Sequence, residues 1–375
     1  MSIIFDVPKR TISGWNTVQS LAQEISALGK RPLLFHTERL GRSDIIVRIT
    51  EHLQKDNLEV NHLIVESGEP TLSMVEAGLK QVIEKNADVI IGIGGGSILD
   101  LAKAVAGLRY SGSKTVKDYF YGSSPSQKGL PWVAIPTTAG TGAEATPNAV
   151  LSDGTIKQSI RGSNHWLASL VVLDPQLTVD CSLSVTAQSG MDALTQAIES
   201  YISTGANVYT EPYSLRATKL ISQSLLQAYH EPNNVQARSD MLIGSNLAGI
   251  ALANARLGIV HGVAHSVGLK LSLPHGLVCG ILLPWAIEYN REVSHSKYEQ
   301  LAKVMGIGET CEDLISWIHH INKRLEIPYS LKELGLKKDW IEEIAKESLP
   351  SGSLKANPKP TSFKDLVEFL YIQLK

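Results

Sequence analysis

Short apolar runs alternate with amphipathic segments in the first half of the chain, and this alternation stops near residue 180. The amphipathic segments include 38–56 and 71–86. The apolar runs have the length of buried strands, and they lie at 32–36, 61–67, 87–94, 131–136 and 168–175. Alternation of this kind predicts a parallel sheet that is covered by helices on both faces.

In the second half of the chain, apolar residues recur at three- and four-residue steps, and strand signals nearly vanish. This period is typical of helices that bury one face. The predicted helices cover 185–203, 211–230, 235–254, 257–271, 277–290, 296–305, 310–324, 339–348 and 362–373. The sequence therefore predicts an α/β domain at 1–180 and an all-α domain at 181–375.

Composition limits the classes of protein to which the chain can belong. Its 375 residues are 43% hydrophobic and 19% charged, which is enough apolar material for a large core. The net charge of -2, without a long basic run, argues against nucleic acid and membrane surfaces as partners. Cys181, Cys279 and Cys311 lie far apart, and no signal peptide or membrane span is evident. We therefore expect a cytoplasmic globular protein.

A glycine-rich turn joins a strand to a helix in the segment ADVIIGIGGGSILDLAKAVA, where Gly94, Gly95, Gly96 and Ser97 fill the turn. Glycines let the backbone approach a ligand closely, and the start of the helix offers N–H groups and the positive end of its dipole. The context favours a pyrophosphate site. The spacing is not GxGxxG, however, and a plain tight turn is the alternative.

A second turn, IPTTAGTGAEAT, also follows an apolar run and offers the hydroxyls of Thr137, Thr138 and Thr141. Hydroxyls and backbone amides suit ribose, phosphate or adenine edges, although a threonine-capped loop is the simpler interpretation. Because ligands of open α/β sheets bind at the carboxyl ends of strands, two such turns in one domain favour a shared binding site.

Potential metal ligands occur in the helical half. In GMDALTQAIESY, Asp192 and Gln196 are four residues apart and point to one side of a helix. His261 and His265 have the same spacing, and His275 follows at a predicted loop or helix start. Carboxylate and imidazole are suitable ligands for Zn2+ or Fe2+, whereas the alternative is ordinary helix polarity and buried structural histidines.

Five motifs occur in the order and spacing of the iron-containing (group III) alcohol dehydrogenases, and the chain resembles this family over nearly its whole length. The motifs are GIGGGSILDLAKAVA, IPTTAGTGAEAT, GMDALTQAIESY, LGIVHGVAHSVG and LPHG. The resemblance implies a dehydroquinate synthase-like fold with a Rossmann-like NAD(P)-binding domain and a helical metal-binding domain. It also implies hydride transfer between NAD(P) and a small alcohol or carbonyl substrate, in a protein expected to be a homodimer.

The resemblance further implies residue roles. The turn from Gly94 to Ser97 would bind the pyrophosphate, and Asp100 would lie near the nicotinamide. The adenosine and ribose side would be lined by Thr137, Thr138, Thr141, Asn148 and Lys157. The metal would be bound by Asp192, His261 and His275, and His265 would relay the substrate proton.

The chain departs from the family pattern at its metal site. Gln196 stands where the family has a fourth histidine ligand, and a glutamine carbonyl oxygen is a harder, weaker ligand than imidazole. The remaining three ligands resemble the zinc site of the glycerol dehydrogenase branch. The metal is therefore expected to be Fe2+ or Zn2+, with Gln196 as a weak fourth ligand.

Two further departures concern the cofactor and the substrate. Thr37 ends the first strand, where the family often has an aspartate that binds the ribose 2′-hydroxyl, so both NAD and NADP are expected to fit. Arg39 is a candidate partner for a 2′-phosphate. Arg256 replaces a common glycine, and it would favour an anionic substrate if it pointed inward and be solvated if it pointed outward.

Two other functions are compatible with the motifs. One is a nucleotide-binding paralogue that lacks metal and activity, and this function would explain why Gln196 replaces the fourth histidine ligand of the family. A lyase related to dehydroquinate synthase would use the same fold and cofactors, but the basic sugar-phosphate-binding array expected of that branch is not evident in the sequence.

Overall fold

A computed structural model of the chain describes residues 2–125 and 127–375, so Met1 and Ser126 lie outside the described residues. The chain forms two compact units. The first comprises Asp6–Thr138 and Gly142–Val179. The second comprises Asp180–Lys375 together with a short N-terminal stretch and Ala139–Thr141.

The first unit is built on a parallel sheet. The strands are β1 (Thr11–Ser13), β2 (Pro32–Thr37), β3 (Asn61–Val65), β4 (Val89–Gly94), β5 (Trp132–Pro136), β6 (Asn148–Ser152), β7 (Lys157–Arg161) and β8 (Leu170–Leu173). Six of the described strands pair in parallel, in the order β1-β8-β5-β4-β2-β3, and β6 and β7 form a separate antiparallel hairpin. The predicted α/β class is confirmed.

Helices surround this sheet. They are α1 (Leu21–Ser26), α2 (Glu38–Gly41), α3 (Asp44–Lys55), α4 (Leu72–Glu84), α5 (Gly96–Leu108) and α6 (Val116–Phe120). On one face, Ile25 of α1 and Ile49 and Leu53 of α3 join Leu34 and Ile91 of the sheet in one apolar cluster. β4 and β5 are buried along their whole length, as expected of strands with both faces covered.

The second unit is helical. Its helices are α7 (Leu183–Ile202), α8 (Thr210–His230), α9 (Val235–Ala255), α10 (Ile259–Leu271), α11 (His275–Met305), α12 (Cys311–Arg324), α13 (Ile341–Ser348) and α14 (Phe363–Ile372). α7 packs against α8, α9 and α11, and it is buried on all sides from Gly190 to Ile202. A helix in this central position places its polar side chains inside the unit.

The structure corrects several details of the sequence prediction. The segment 38–56 is two helices, because α2 ends before Ser43 and α3 begins at Asp44. The two helices expected at 277–290 and 296–305 correspond to the two helical segments of α11, which are separated by a kink at Ser294, where the backbone is not helical. The elements that the sequence prediction missed are short or polar, namely β1, the β6–β7 hairpin, α1 and α6.

Among the described helices, none alone is both long and apolar enough to span a membrane. Helices α9 and α10 taken together reach that length and composition, but the chain bends by 105° where they join.

Candidate metal centre and dinucleotide site

Three polar side chains of α7 point to one side of this central helix. Asp192, Gln196 and Glu199 follow one another at steps of four and three residues, and all three are buried. A buried carboxylate or amide loses its hydration and is stable only with hydrogen-bonding, charged or metal partners. The neighbours of these side chains therefore define what the site can bind.

Glu199 caps the start of α10. Its carboxylate accepts hydrogen bonds from the backbone N–H of Val260 at 2.7 Å and of His261 at 3.4 Å. The side-chain oxygen of Asn357 accepts from the N–H of Ile259 at 3.1 Å. The first N–H groups of a helix have no partner within the helix, and its N-terminus favours a negative charge. These contacts therefore hold the first turn of α10, which carries His261, against α7.

His261 lies between two carboxylates. Its Nδ1 is 2.7 Å from Glu199 Oε2, and its Nε2 is 3.3 Å from Asp192 Oδ1. The stronger contact keeps a proton on Nδ1, which donates to Glu199. Nε2 is then the nitrogen that can bind a metal, an arrangement in which an outer carboxylate orients a histidine ligand.

α11 brings two further donor atoms to Asp192. His275 is its first residue, and the His275 Nε2 lies 3.7 Å from Asp192 Oδ1. Cys279 follows one turn later, with its Sγ 3.5 Å from His275 Nε2. Gly276 allows this close approach of α11 to α7, because a Cβ there would lie 2.1 Å from the carbonyl oxygen of Gln188.

The donor atoms of Asp192, His261, His275 and Cys279 all lie within 4.8 Å of one another. Within the described part of the chain, the buried side-chain oxygen of Gln196 has no hydrogen-bond partner. Carboxylate oxygen, imidazole nitrogen and sulfur are the donor types that bind zinc and iron in proteins. These residues therefore fit a divalent transition metal, and Gln196 is an orphaned oxygen on the same side of α7.

The cluster shifts the pKa values of its members. Burial alone would raise the pKa of Asp192, but the hydrogen bond from His261 and the charges of both histidines hold it below its ordinary value. Burial opposes a charge on His261, yet Cys279, Asp192 and Glu199 together raise its pKa well above that of an ordinary histidine. Burial raises the pKa of the Cys279 thiol to about 12. A cation binding these atoms must displace protons, so its binding releases protons.

His265 lies beside this cluster, one turn after His261 on α10. Its ring stacks on the ring of His275, with the centroids 4.7 Å apart and the planes at 21°. The His275 side chain is 25% exposed, whereas those of Asp192 and His261 are almost completely buried. The exposed side of the cluster is therefore the side on which His265 lies.

The two predicted ligand turns meet at the carboxyl edge of the sheet in the first unit. Gly94 at the end of β4 is paired with Pro136 of β5, and the N–H of Thr137 donates to the Gly94 carbonyl at 3.0 Å. α5 begins at Gly96, directly after this pair, and a Cβ at Gly95 would lie 3.4 Å from the Thr138 hydroxyl. The structure thus brings Gly94 and Gly95, which lead into Gly96 and Ser97 of α5, next to Thr137 and Thr138, as expected of parallel strands.

Asp100 is held within the first unit through both carboxylate oxygens. Oδ1 accepts from Lys103 Nζ at 2.9 Å, and Oδ2 accepts from the N–H of Val150 at 2.9 Å. The fully buried Lys103 also donates to the Thr146 hydroxyl at 3.0 Å and to the Asn148 carbonyl at 2.6 Å. Asp100 and Lys103 therefore attach the β6–β7 hairpin to α5.

The other cofactor candidates are spread over separate elements. Asn148 and Lys157 begin the two strands of the hairpin, and Lys157 Nζ lies 2.7 Å from Glu69 Oε2. The Thr37 hydroxyl caps α2 by accepting from the N–H of Leu40 at 3.3 Å. Thr141 belongs to the second unit.

Arg256 follows α9 as its C-terminal cap, and its side chain is exposed to solvent.

Sequence analysis missed Glu199, Cys279 and Lys103. Each was visible as a polar residue at helical spacing from a candidate, because Glu199 follows Gln196 by three residues, Cys279 follows His275 by four, and Lys103 follows Asp100 by three. A charged residue in an otherwise apolar helix is the signal that could have identified Lys103 and Glu199.

A glycine-rich turn on a parallel sheet and a carboxylate–imidazole cluster among helices together define a metal-dependent, dinucleotide-linked oxidoreductase. Residues 8–175 match the family described as iron-containing alcohol dehydrogenase, and residues 186–373 match the C-terminal part of the Fe-containing alcohol dehydrogenase family. The chain belongs to the iron-containing alcohol dehydrogenases.

Individual relatives agree with this assignment. The chain is 33% identical over 360 residues to alcohol dehydrogenase 4 of Saccharomyces cerevisiae, and the alignment covers 94% of each chain. It superimposes on the crystal structure of a 1,3-propanediol oxidoreductase with a TM-score of 0.95 at 30% identity, covering 100% of both chains. A sulfoacetaldehyde reductase from Bifidobacterium kashiwanohense in complex with NAD+ gives a TM-score of 0.92 at 25% identity, covering 100% of this chain and 99% of the other.

The predicted family, the dehydroquinate synthase-like fold and the enzyme class are thereby confirmed. The protein is an NAD-linked oxidoreductase that acts on CH–OH groups, and its cofactors are a nicotinamide dinucleotide and a divalent metal.

Proposed function

We propose that the protein interconverts small alcohols and the corresponding carbonyl compounds at a metal centre formed by Asp192, His261 and His275, with Gln196 as a weaker ligand. The observation that carries the proposal is the convergence of carboxylate and imidazole donors within 4.8 Å in the interior of the helical unit. A divalent cation bound there supplies Lewis acidity toward the substrate oxygen and lowers the pKa of an alcohol.

The residues around the centre have distinct tasks. Asp192 contributes the negative charge that a buried cation requires, and it contacts both histidines. Glu199 keeps the proton of His261 on Nδ1 and so directs Nε2 toward the metal position. The buried surroundings exclude water, which strengthens each of these electrostatic interactions.

The proposed dinucleotide site uses the turn from Gly94 to Ser97 for the pyrophosphate, with Thr137 and Thr138 beside it. The nicotinamide accepts or delivers the hydride, which is chemistry of the cofactor itself. Backbone N–H groups at the start of α5 bind the phosphates, because a helix N-terminus favours anions. Thr141, Asn148 and Lys157 are proposed to line the adenosine side, while Asp100 positions the hairpin that carries Asn148 and Lys157.

We assign the transfer of the substrate proton to His265. Its ring stacks on His275, on the exposed side of the ligand cluster, where a proton can pass to solvent. Imidazole is the side chain most often used for general acid–base catalysis.

The proposed substrates are short alcohols, diols and aldehydes, in keeping with the small compounds for which two structurally similar proteins are named. We further propose a homodimer in the cytoplasm, without nucleic-acid or membrane partners. The three cysteines, which are free thiols in the described chain, support a reducing compartment, and two-fold dimers are the commonest assemblies. Light scattering of the purified protein tests the assembly.

The activity is tested by oxidation of NADH and NADPH with a panel of short-chain aldehydes, before and after chelation and after metal re-addition. We expect turnover that is lost on chelation and recovered with a divalent metal. Asp192→Asn should abolish the recovery of turnover after metal re-addition. Asp339→Asn, which changes an exposed aspartate of the same unit, should leave that recovery intact. Turnover that survives complete metal removal would contradict the metal role, and inactivity in every metal state with both cofactors would contradict the proposed function.

A further inference from the structure

Cys279 lies among the atoms proposed to bind the metal. It is completely buried on α11, and its Sγ is 3.5 Å from His275 Nε2 and 4.0 Å from His261 Nε2. It also belongs to the group of four donors that lie within 4.8 Å of one another. Its side chain therefore faces the ligand cluster and not only the apolar core of the unit.

The spacing of the four donors suits one ion. Metal–ligand bonds of about 2.0–2.3 Å at tetrahedral angles separate neighbouring donor atoms by roughly 3.3–3.6 Å. Asp192 Oδ1 is 3.3 Å from His261 Nε2 and 3.7 Å from His275 Nε2, and the contact of Cys279 with His275 is 3.5 Å. The longest of these donor contacts, from Cys279 to His261, is 4.0 Å. Four of the six donor–donor distances therefore lie within about 0.4 Å of the tetrahedral range, and the other two are at most 4.8 Å.

We propose that Cys279 binds the metal as a thiolate together with Asp192, His261 and His275, and that this sulfur ligand makes the site select Zn2+ over Fe2+. The inference rests on the proposed function, since it concerns the same metal centre. In the binding step the S–H bond of Cys279 breaks, a metal–sulfur bond forms, and the proton passes to solvent. Among the direct ligands, one carboxylate and one thiolate then balance the double charge of the cation inside the protein, where an unbalanced charge is costly, and the Glu199 carboxylate adds a further negative charge at His261 Nδ1.

The selectivity follows from the chemistry of the donors. Thiolate is a soft ligand that favours zinc, whereas the harder oxygen ligands favour harder cations. Gln196 supplies a neutral oxygen, and its side-chain oxygen, which lacks a hydrogen-bond partner among the described residues, can add to the four-donor set without changing its charge. A substrate oxygen can enter in place of the Gln196 oxygen as the fifth ligand, because zinc sites expand to five ligands during catalysis.

The test uses Co2+ as a spectroscopic substitute for zinc in the metal-depleted full-length protein. A thiolate ligand gives cobalt an intense near-ultraviolet charge-transfer band that oxygen and nitrogen ligands do not give. We expect this band in the wild-type protein and in Cys311→Ser, a matched control at another buried cysteine of the same unit. We expect it to be absent in Cys279→Ser and Cys279→Ala.

Competition between Zn2+ and Fe2+ measures the selectivity without any assay of activity. We expect Cys279→Ser to lower the ratio of zinc affinity to iron affinity by at least about tenfold, because a neutral hydroxyl replaces a soft thiolate. Stoichiometric cobalt binding without the band in the wild-type protein would overturn the role of Cys279 and leave the metal centre standing. A wild-type protein that binds neither cobalt nor zinc would overturn the metal centre of the proposed function as well. The wild-type spectrum shows whether a thiolate binds the metal even if both Cys279 variants fail to fold.

Discussion

Glu199 of α7 accepts a 2.7 Å hydrogen bond from Nδ1 of His261, the first histidine of α10. The same carboxylate caps the start of α10 through the N–H groups of Val260 and His261. One buried side chain thus sets both the position of the helix and the orientation of the ring. We therefore expect the proposed metal centre to depend on Glu199, although Glu199 is not itself among the proposed ligands.

Replacement of Glu199 by glutamine should weaken metal binding by about 10- to 100-fold, because loss of an outer carboxylate partner lowers the basicity and order of a histidine ligand. The helix cap should survive, since an amide oxygen can still accept from Val260. Chelator competition gives the affinity and thermal unfolding gives the stability. Glu211→Gln, which alters an ion pair with Lys297 in the same unit, is the matched control. An unchanged metal affinity would show that Glu199 is only a helix cap.

Replacement of Gln196 by histidine should raise the affinity for Fe2+ by about tenfold or more, which corresponds to about 1.4 kcal/mol. Imidazole is a stronger ligand for iron than a neutral amide oxygen, and the Gln196 oxygen has no competing hydrogen bond among the described residues. Iron titration measures the effect, with Gln223→His on the exposed side of α8 as the control. Equal iron affinities of the two variants would argue against Gln196 facing the metal.

Replacement of Arg256 by glycine should stabilise the protein by about 1 kcal/mol. Arg256 has φ 67° and ψ -169°, a backbone region that is almost confined to glycine and costs other residues about 1–3 kcal/mol. Glycine loses more conformational entropy on folding than arginine, and this loss offsets part of the stabilisation. Thermal unfolding should show a midpoint higher by roughly 2–4 °C for a unit of this size. Arg256→Ala keeps the backbone strain and serves as the control. An equal rise in the unfolding midpoint of that variant would mean that loss of the arginine side chain, and not relief of backbone strain, stabilises the protein.

Replacement of Thr37 by aspartate should shift the cofactor preference toward NAD by about tenfold or more in the ratio of kcat/KM values, because a carboxylate repels a 2′-phosphate and binds the ribose hydroxyls. Aspartate can also retain the cap of α2, which Thr37 now provides through Leu40. Steady-state kinetics with NAD and NADP give the ratio. Thr37→Asn tests the charge, since it offers a similar cap without repulsion, and a comparable shift in that variant would contradict the explanation.

Replacement of His265 by phenylalanine should lower kcat by about 10²- to 10⁴-fold, the range typical of a lost acid–base group. Phenylalanine can still stack on His275, so metal content should not change. Kinetics as a function of pH together with metal analysis separate the two roles. Loss of metal in His265→Phe would indicate that His265 supports the ligand His275 instead of carrying the proton.

Four strands of the sheet could be predicted because they are buried on both faces. β2, β4, β5 and β8 are apolar along nearly their whole length, and such runs stand out in a sequence. The hairpin formed by β6 and β7 is half exposed and polar, and β1 has three residues, so neither carries a strong pattern. The sequence prediction therefore missed the elements that hold Asn148 and Lys157.

The amino-acid sequence by itself determined which side chains share a face of one helix. The steps from Asp192 to Gln196 and from His261 to His265 follow from the period of the α-helix. Only the tertiary structure decided which helix faces meet. The helical period gives the direction of each side chain around the axis of its own helix, but it does not give the neighbouring helix that this side chain contacts. The packing of α7, α10 and α11 brought Glu199 to His261 and Cys279 to His275, and it turned separate helical patterns into one four-donor cluster.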